Sequence, residues 1–201
     1  MAGTKRLPRA VREQQMLDAA VEEFSDTGYS DTSMDAIAAR AEISKPMLYL
    51  YYGSKDELFM ACVDRERGRF MDAMSAGFDP ALRQRDQARI VIREFLRYVY
   101  ENAKSWRVLY RVASSTSDFT EVVTRARSQI TEMITELIRR GTTVDGISDT
   151  DFELTAVALV GAAEAVADRI SEGDISLDAA TDVLLGIVWR ALTGVGHLEE
   201  A

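Results

Sequence analysis

From Ser30 to Leu58 the chain alternates short apolar-periodic runs with turn-forming residues, in the order SDTSMDAIAARAEISKPMLYLYYGSKDEL. Met34, Ile37 and Ala38 recur at helical spacing, and Asp31, Thr32 and Ser33 ahead of them offer N-cap oxygens. This predicts a helix that stops near Ala41. Glu42 and Ile43 supply the turn, and Ser44 is the next N-cap, with Lys45 and Pro46 in the first turn, where proline's missing N–H costs little. The second helix therefore starts at Lys45. Ser54, with Glu57 three residues on, predicts a capping box that opens a third helix at Lys55.

Projected at about 100° per residue, Lys45 to Tyr52 puts Leu48 and Tyr52 on a core side and Pro46 and Leu50 opposite them. Lys45 and Tyr49 flank one edge, Met47 and Tyr51 the other. A small apolar ridge between hydroxyl and ammonium groups suits the major groove, where apolar side chains meet base edges while polar ones hold phosphates. Two short helices joined by a tight turn are the layout of a helix-turn-helix DNA reader. Thr32, Ser33, Ser44, Lys45, Pro46, Tyr49, Leu50, Tyr51 and Lys55 are its expected DNA-facing residues. The competing reading is an ordinary helical hairpin with its tyrosines in a core. Tyr49, Tyr51 and Tyr52 point in different directions around a helix, so a small domain cannot bury all three.

Beyond Lys55 the apolar period is helical throughout, without a strand-like alternation, so the fold class is all-α. Lys55 to about Met74 forms one rod, broken by Gly77 to Pro80. Ala81 to Ala103 forms the next, with Ile90, Ile92, Phe95, Leu96, Val99 and Tyr100 inward. A short helix spans Trp106 to Val112, and a stripe of Phe119, Val122, Val123, Ala126, Ile130, Met133, Ile134, Leu137 and Ile138 marks a long helix ending at Gly141. Phe152 to Val166 is small or apolar almost all round, and Leu177 to about Leu192 has a wide apolar side. Two such helices in succession need more partners than one chain supplies. A four-helix bundle across a two-fold axis answers that need. The residues assigned to it are Val157, Val160, Gly161, Glu164, Val183, Leu184, Ile187 and Val188.

The run from Arg12 through Leu58 resembles the N-terminal domain of TetR-type transcriptional regulators. The likeness is carried by Met16, Leu17, Ala20, Phe24 and Gly28, then Thr32 to Ala41, then ISKPMLYLYYGSKDEL. It implies that Thr32, Lys45, Tyr49, Tyr51 and Lys55 hold phosphates while Pro46 and Leu50 face bases. The chain departs from the family pattern at Pro46, where a small residue is usual, and at Tyr51, where many relatives carry histidine. The resemblance also implies a homodimer on a palindromic operator, its heads one DNA turn apart, about 34 to 36 Å, or a multiple. The expected organisation is a three-helix reader over residues 1–55, with 1–11 a flexible basic arm, then a larger helical effector-binding and dimerisation domain over 56–201. Phe95, Tyr98, Trp106, Tyr110, Met133 and Phe152 lie on helices that family members arrange around a cavity. A small, largely apolar effector bound there would shift the helix from Lys55 and release the protein from DNA.

Charge runs against a simple basic footprint, since 24 Lys and Arg against 33 Asp and Glu give a net −9 over 201 residues. Lys5, Arg6, Arg9 and Arg12 nevertheless fall among the first twelve residues without an acid, so the arm can follow a phosphate backbone. The longest uncharged run, Leu154 to Ala163, is ten residues and falls short of the ~20 needed to span a bilayer. A cytoplasmic protein is expected. Cys62 is the single cysteine and His197 the single histidine, which leaves no material for a disulfide, a multi-histidine metal site or a histidine triad. Gly194-Val195-Gly196 lacks the rest of a nucleotide loop, and the adjacent Glu22-Glu23 and Glu199-Glu200 point apart. No cofactor, metal or catalytic activity is expected. The remaining alternatives are a helical interaction protein without DNA affinity and a ligand-responsive activator of the same architecture.

Overall fold

A computed structural model describes residues 8–76, 81–82, 84–113, 119–141, 146–173 and 175–194. The expected helix break at Gly77 to Pro80, most of the basic arm, and His197 lie outside these residues. The helices are α1 (Arg9–Asp31), α2 (Met34–Arg40), α3 (Lys45–Tyr51), α4 (Lys55–Ala76), α5 (Gln84–Glu101), α6 (Ala103–Trp106), α7 (Thr120–Gly141), α8 (Asp149–Ser171) and α9 (Leu177–Gly194), with a π-helical segment at Arg107–Val112. No strand occurs among the described residues, and none of their helices is long and apolar enough to cross a membrane. Arg9 to Val11, expected in a flexible arm, are the first turn of α1.

The chain divides into two compact units, Met1–Arg69 with Lys104–Ser117 and Phe70–Ala103 with Asp118–Ala201. The first is larger than the 1–55 reader expected from sequence. The reason lies in α4, whose Leu58, Phe59 and Cys62 are fully buried in the same core as Met16, Ala20, Phe24, Ile37 and Leu48. Phe59 meets Phe24 edge-on at 4.9 Å between centroids and Tyr29 at 5.1 Å, so three aromatics tie α4 to the end of α1. Burial pushes the Cys62 thiol up to about 12, which keeps it unreactive.

Gly28, at φ 80°, interrupts the helical path near the end of α1 and turns the chain toward α2. α2 starts at an N-cap in which Ser33 Oγ accepts from the Ala36 N–H at 3.1 Å. The expected inward residues Met34, Ile37 and Ala38 are all buried. After α2, Glu42 N–H donates to Ala39 O at 3.1 Å and Ile43 N–H to Ala38 O at 3.0 Å, the paired closure of a Schellman turn. Its left-handed position is held by Glu42, at φ 52°, where glycine is the usual occupant.

In the second unit α5, α8 and α9 pack together and α7 lies on α8. One core cluster joins Ile138 of α7 to Phe152, Ala156 and Leu159 of α8, flanked by Ile134, Ile147, Ile187 and Val188. Ion pairs follow the helix seams: Arg89–Asp182 at 2.9 Å, Arg93–Asp178 at 2.8 Å and Arg127–Glu164 at 2.6 Å. Three expected inward residues face out instead. On α5, Tyr98 is buried with Leu96 and Val99, which sends Tyr100 to solvent. On α7, Ile134 and Ile138 make the contact with α8, leaving Met133 and Leu137 exposed. A single-row contact buries a narrower stripe than the sequence period suggested.

Candidate nucleic-acid interface

α3 is seven residues long and buries only Leu48. Leu50, on the opposite side, is 82% exposed, and Tyr49 beside it is 43% exposed. Ser44, Lys45 and Pro46 are exposed as well, so the first turn and outer face of α3 present oxygen, ammonium and apolar groups to solvent. Ser44 takes extended backbone angles at the N-cap, and its carbonyl accepts from the Met47 and Leu48 N–H groups, but its hydroxyl caps nothing. That hydroxyl can turn outward. Tyr52 is half-buried and its phenol is raised to about 12, chiefly by that burial.

Two residues of α1 fix α3 from the side. Gln15 Nε2 donates to Ala41 O at 3.0 Å, holding the turn, and Arg12 Nη1 donates to Met47 Sδ at 3.0 Å. The Arg9 guanidinium lies over the Tyr51 ring at 5.4 Å from its centroid, so the half-buried Tyr51 sits beneath a cation. Arg9 and Arg12 thus extend the basic face beside α3. The α3 pattern alone did not reveal this. The signal available was the spacing of Arg9, Arg12 and Gln15 along the polar side of α1.

Lys45 bonds Asp35 on α2 at 2.7 Å, and that hydrogen bond raises the ammonium above its ordinary value. A phosphate at this position competes with one exposed carboxylate for a cation that stays charged. Two other expected contacts are engaged within the protein. Thr32 is buried, with Oγ1 2.6 Å from Gly28 O and 2.7 Å from Thr27 Oγ1. Lys55 Nζ donates to Tyr29 O at 2.8 Å and Thr32 O at 3.1 Å. At the start of α4 the Glu57 N–H donates to Ser54 Oγ at 3.1 Å as expected, while the Glu57 carboxylate accepts from Gly53 N–H rather than from Ser54.

The residues expected around an effector are placed as follows. Phe95 and Tyr98 of α5 meet Phe70 edge-on, at 6.0 and 5.4 Å. Trp106, the residue before the π segment, stacks on Tyr110 within it at 3.7 Å between ring centroids. Phe152 is in the α7–α8 core, with the Arg139 guanidinium over its ring at 5.6 Å, and Met133 is exposed. Of the residues expected at a two-fold interface, Val157 and Val183 are 47% and 56% exposed, and Gly161 is half-buried. Val160 and Leu184 are buried inside the protomer, and Ile187 and Val188 pack on its own core. Glu164 pairs with Arg127, and desolvation raises its carboxyl despite that cation. Leu154, 61% exposed, and Ala158 complete an outward stripe on α8 that the sequence reading missed. Neighbours along the stripe of Leu154, Val157, Ala158, Gly161 and Ala165 are linked by steps of three or four residues.

The family model for tetR-family bacterial regulatory proteins matches residues 16–62, and that for the tetracyclin repressor-like C-terminal domain matches residues 84–191. The HTH-type transcriptional activator FasR of Mycolicibacterium smegmatis is 30% identical over 94% of this chain and 87% of its own length. The HTH-type transcriptional repressor SCO4008 of Streptomyces coelicolor is 37% identical over 37% of this chain and 38% of its own. The crystal structure of a TetR-like transcriptional regulator from Rhodococcus sp. RHA1 is 54% identical, with a TM-score of 0.85 over 94% of this chain and all of that one. With reader and body both matched, the chain belongs to the TetR family of DNA-binding transcriptional regulators, which are not enzymes.

Proposed function

We propose that this regulator binds a palindromic operator as a homodimer, represses from it, and is released by a small, largely apolar effector. The observation that carries the operator reading is Leu50, held in water at 82% exposure on a helix whose only buried residue is Leu48. A large apolar side chain at that position, ringed by Lys45, Pro46 and Tyr49, has the chemistry to meet thymine methyls and base edges. The stripe of Leu154, Val157, Ala158, Gly161 and Ala165 on α8, with Val183 on α9, is proposed as the two-fold contact. Its small residues let two helices approach closely.

Selection of bound sequences from random duplex DNA tests the proposal. A recovered palindrome with half-sites one turn apart supports the dimeric reader, whereas a single unrepeated site would overturn it. Effector release is tested by titrating apolar and aromatic small molecules, with Phe95 and Tyr98 as the first positions to vary. Proven effector binding with unchanged DNA affinity removes the allosteric step. The second reading is activation, favoured by the likeness to an activator over 94% of the chain. Placing the recovered operator against its promoter, with transcription measured in vitro, separates the two.

A further inference from the structure

We propose that Lys55 serves DNA binding as a positioning residue that pins the elbow between α1 and α2, rather than as a phosphate ligand. The proposal rests on the DNA-binding role of the family. The helical path of α1 breaks at Gly28, and a helix end leaves its last carbonyls without intrahelical donors. Three carbonyls beyond the break converge on one ammonium. Lys55 Nζ lies 2.8 Å from Tyr29 O, 3.1 Å from Thr32 O and 3.4 Å from Ser30 O. An ammonium carries three N–H groups, so this cradle can engage every one of them.

The Tyr29 ring closes the cradle from below, its centroid 4.4 Å from Nζ, and the Tyr29 hydroxyl donates to Asp56, the residue after Lys55. From the inner side, the buried Thr32 hydroxyl bonds Gly28 O at 2.6 Å. The elbow is therefore held by a cation outside and a hydroxyl inside. Because α2 leaves from this elbow and passes directly through the Glu42 turn into α3, the direction of α3 depends on it. A phosphate ligand must aim hydrogens at an external oxygen, as exposed Lys45 can. Lys55 aims its hydrogens at the backbone.

The test uses the full chain with Lys55→Met, which keeps the stem and removes the ammonium, and Lys55→Arg, which keeps the charge. The readouts are Tm and affinity for the duplex recovered by selection, at several salt concentrations and well below each variant's Tm. The expected result for Lys55→Met is a lowered Tm and an affinity down about tenfold, with the slope of log affinity against log salt unchanged. Lys55→Arg should also bind more weakly, because a planar fork cannot direct three hydrogens into this cradle. A slope smaller by about 0.9 with an unchanged Tm marks a lost phosphate contact and overturns the proposal. Wild-type affinity in Lys55→Arg overturns it too, as does wild-type affinity in folded Lys55→Met. The Tm comparison needs no DNA, so an unchanged Tm refutes the pin even where the operator reading has failed separately.

Discussion

The short helix α3 and the long helix α8 both leave apolar side chains in water, and they differ in what surrounds those side chains. On α3 the exposed Leu50 stands with Pro46 between Lys45 and Tyr49, whose ammonium and hydroxyl carry charge or hydrogen-bond. On α8 the exposed Leu154 and Val157 continue into Ala158, Gly161 and Ala165, a stripe without a charge. A small apolar ridge inside a polar rim fits a surface that is itself polar with apolar points, as the major groove is. A continuous small-residue stripe fits a surface like itself, which is what the proposed second copy would provide. Exposure alone does not distinguish the two. The neighbours do.

The largest expected effect comes from breaking the α8–α9 surface. Val157→Asp with Val183→Asp places four carboxylates in a two-fold contact, since each substitution occurs twice there. The chain should sediment as a monomer, and operator affinity should fall about a hundredfold to ten-thousandfold as the second head stops assisting the first. A dimer that survives the double substitution would show that this stripe faces something else. The next comparison is within α3. Leu48→Ala opens a cavity under a fully buried side chain and should cost about 2 to 5 kcal/mol of unfolding free energy. Leu50→Ala should leave stability within about 0.5 kcal/mol while altering base preference in the selection. Equal losses of stability in the two variants would erase the distinction between inner and outer faces.

A smaller effect sharpens the contrast through pH. Burial raises the Cys62 thiol from 9.0 and the half-buried Tyr52 phenol from 10.0, each to about 12. Both groups are acids held neutral in the folded chain, so the unfolded chain loses their protons first as pH rises. The stability they contribute is whole below the unfolded value of 9.0 and is lost progressively up to about 12. Thermal melts of the first unit, followed between about pH 8 and about pH 11, should fall on the alkaline side, and Cys62→Ala should make that fall shallower. An unchanged alkaline limb in the variant would remove Cys62 from the account.

The helix-turn-helix was legible because two independent signals coincide there: caps at Ser33 and Ser54 and an apolar period that both mark the same boundaries. The extent of the first unit was not legible. Phe59 and Cys62 continue the apolar period of α4 without interruption, and period says that a face is buried but not against which core. The same limit explains Val160 and Leu184. Both lie on apolar sides, and only packing sorts them inward while Val157 and Val183 stay out. The carbonyl partners of Lys55 were illegible for a different reason: a lysine at a helix start meets anions in general, and the carbonyls it finds here follow a glycine break 27 residues earlier, Gly28 to Lys55. The π turn at Arg107–Val112 has no signature in the period, which cannot distinguish one inserted residue from a change of face.

The turn that delivers α3 offers the mildest test, and it acts on the backbone alone. Glu42 occupies the left-handed position of the Schellman closure, at φ 52°, where a side chain costs about 1 to 2 kcal/mol in steric terms. Glu42→Gly removes that cost but adds the greater entropy of glycine in the unfolded chain, leaving a net gain of about 0.5 to 1 kcal/mol. The substitution also deletes a carboxylate close to α3, which would strengthen DNA binding by charge. Glu42→Gln separates the two causes, because it removes the charge and keeps the strained backbone. Expected in thermal melts is a rise of about 2 °C for Glu42→Gly over Glu42→Gln, with both variants gaining the same DNA affinity at low salt. If Glu42→Gly instead bound DNA more weakly than Glu42→Gln, the constrained glutamate would be setting the angle at which α3 leaves the turn, and the rigidity of that turn would belong to recognition rather than to stability.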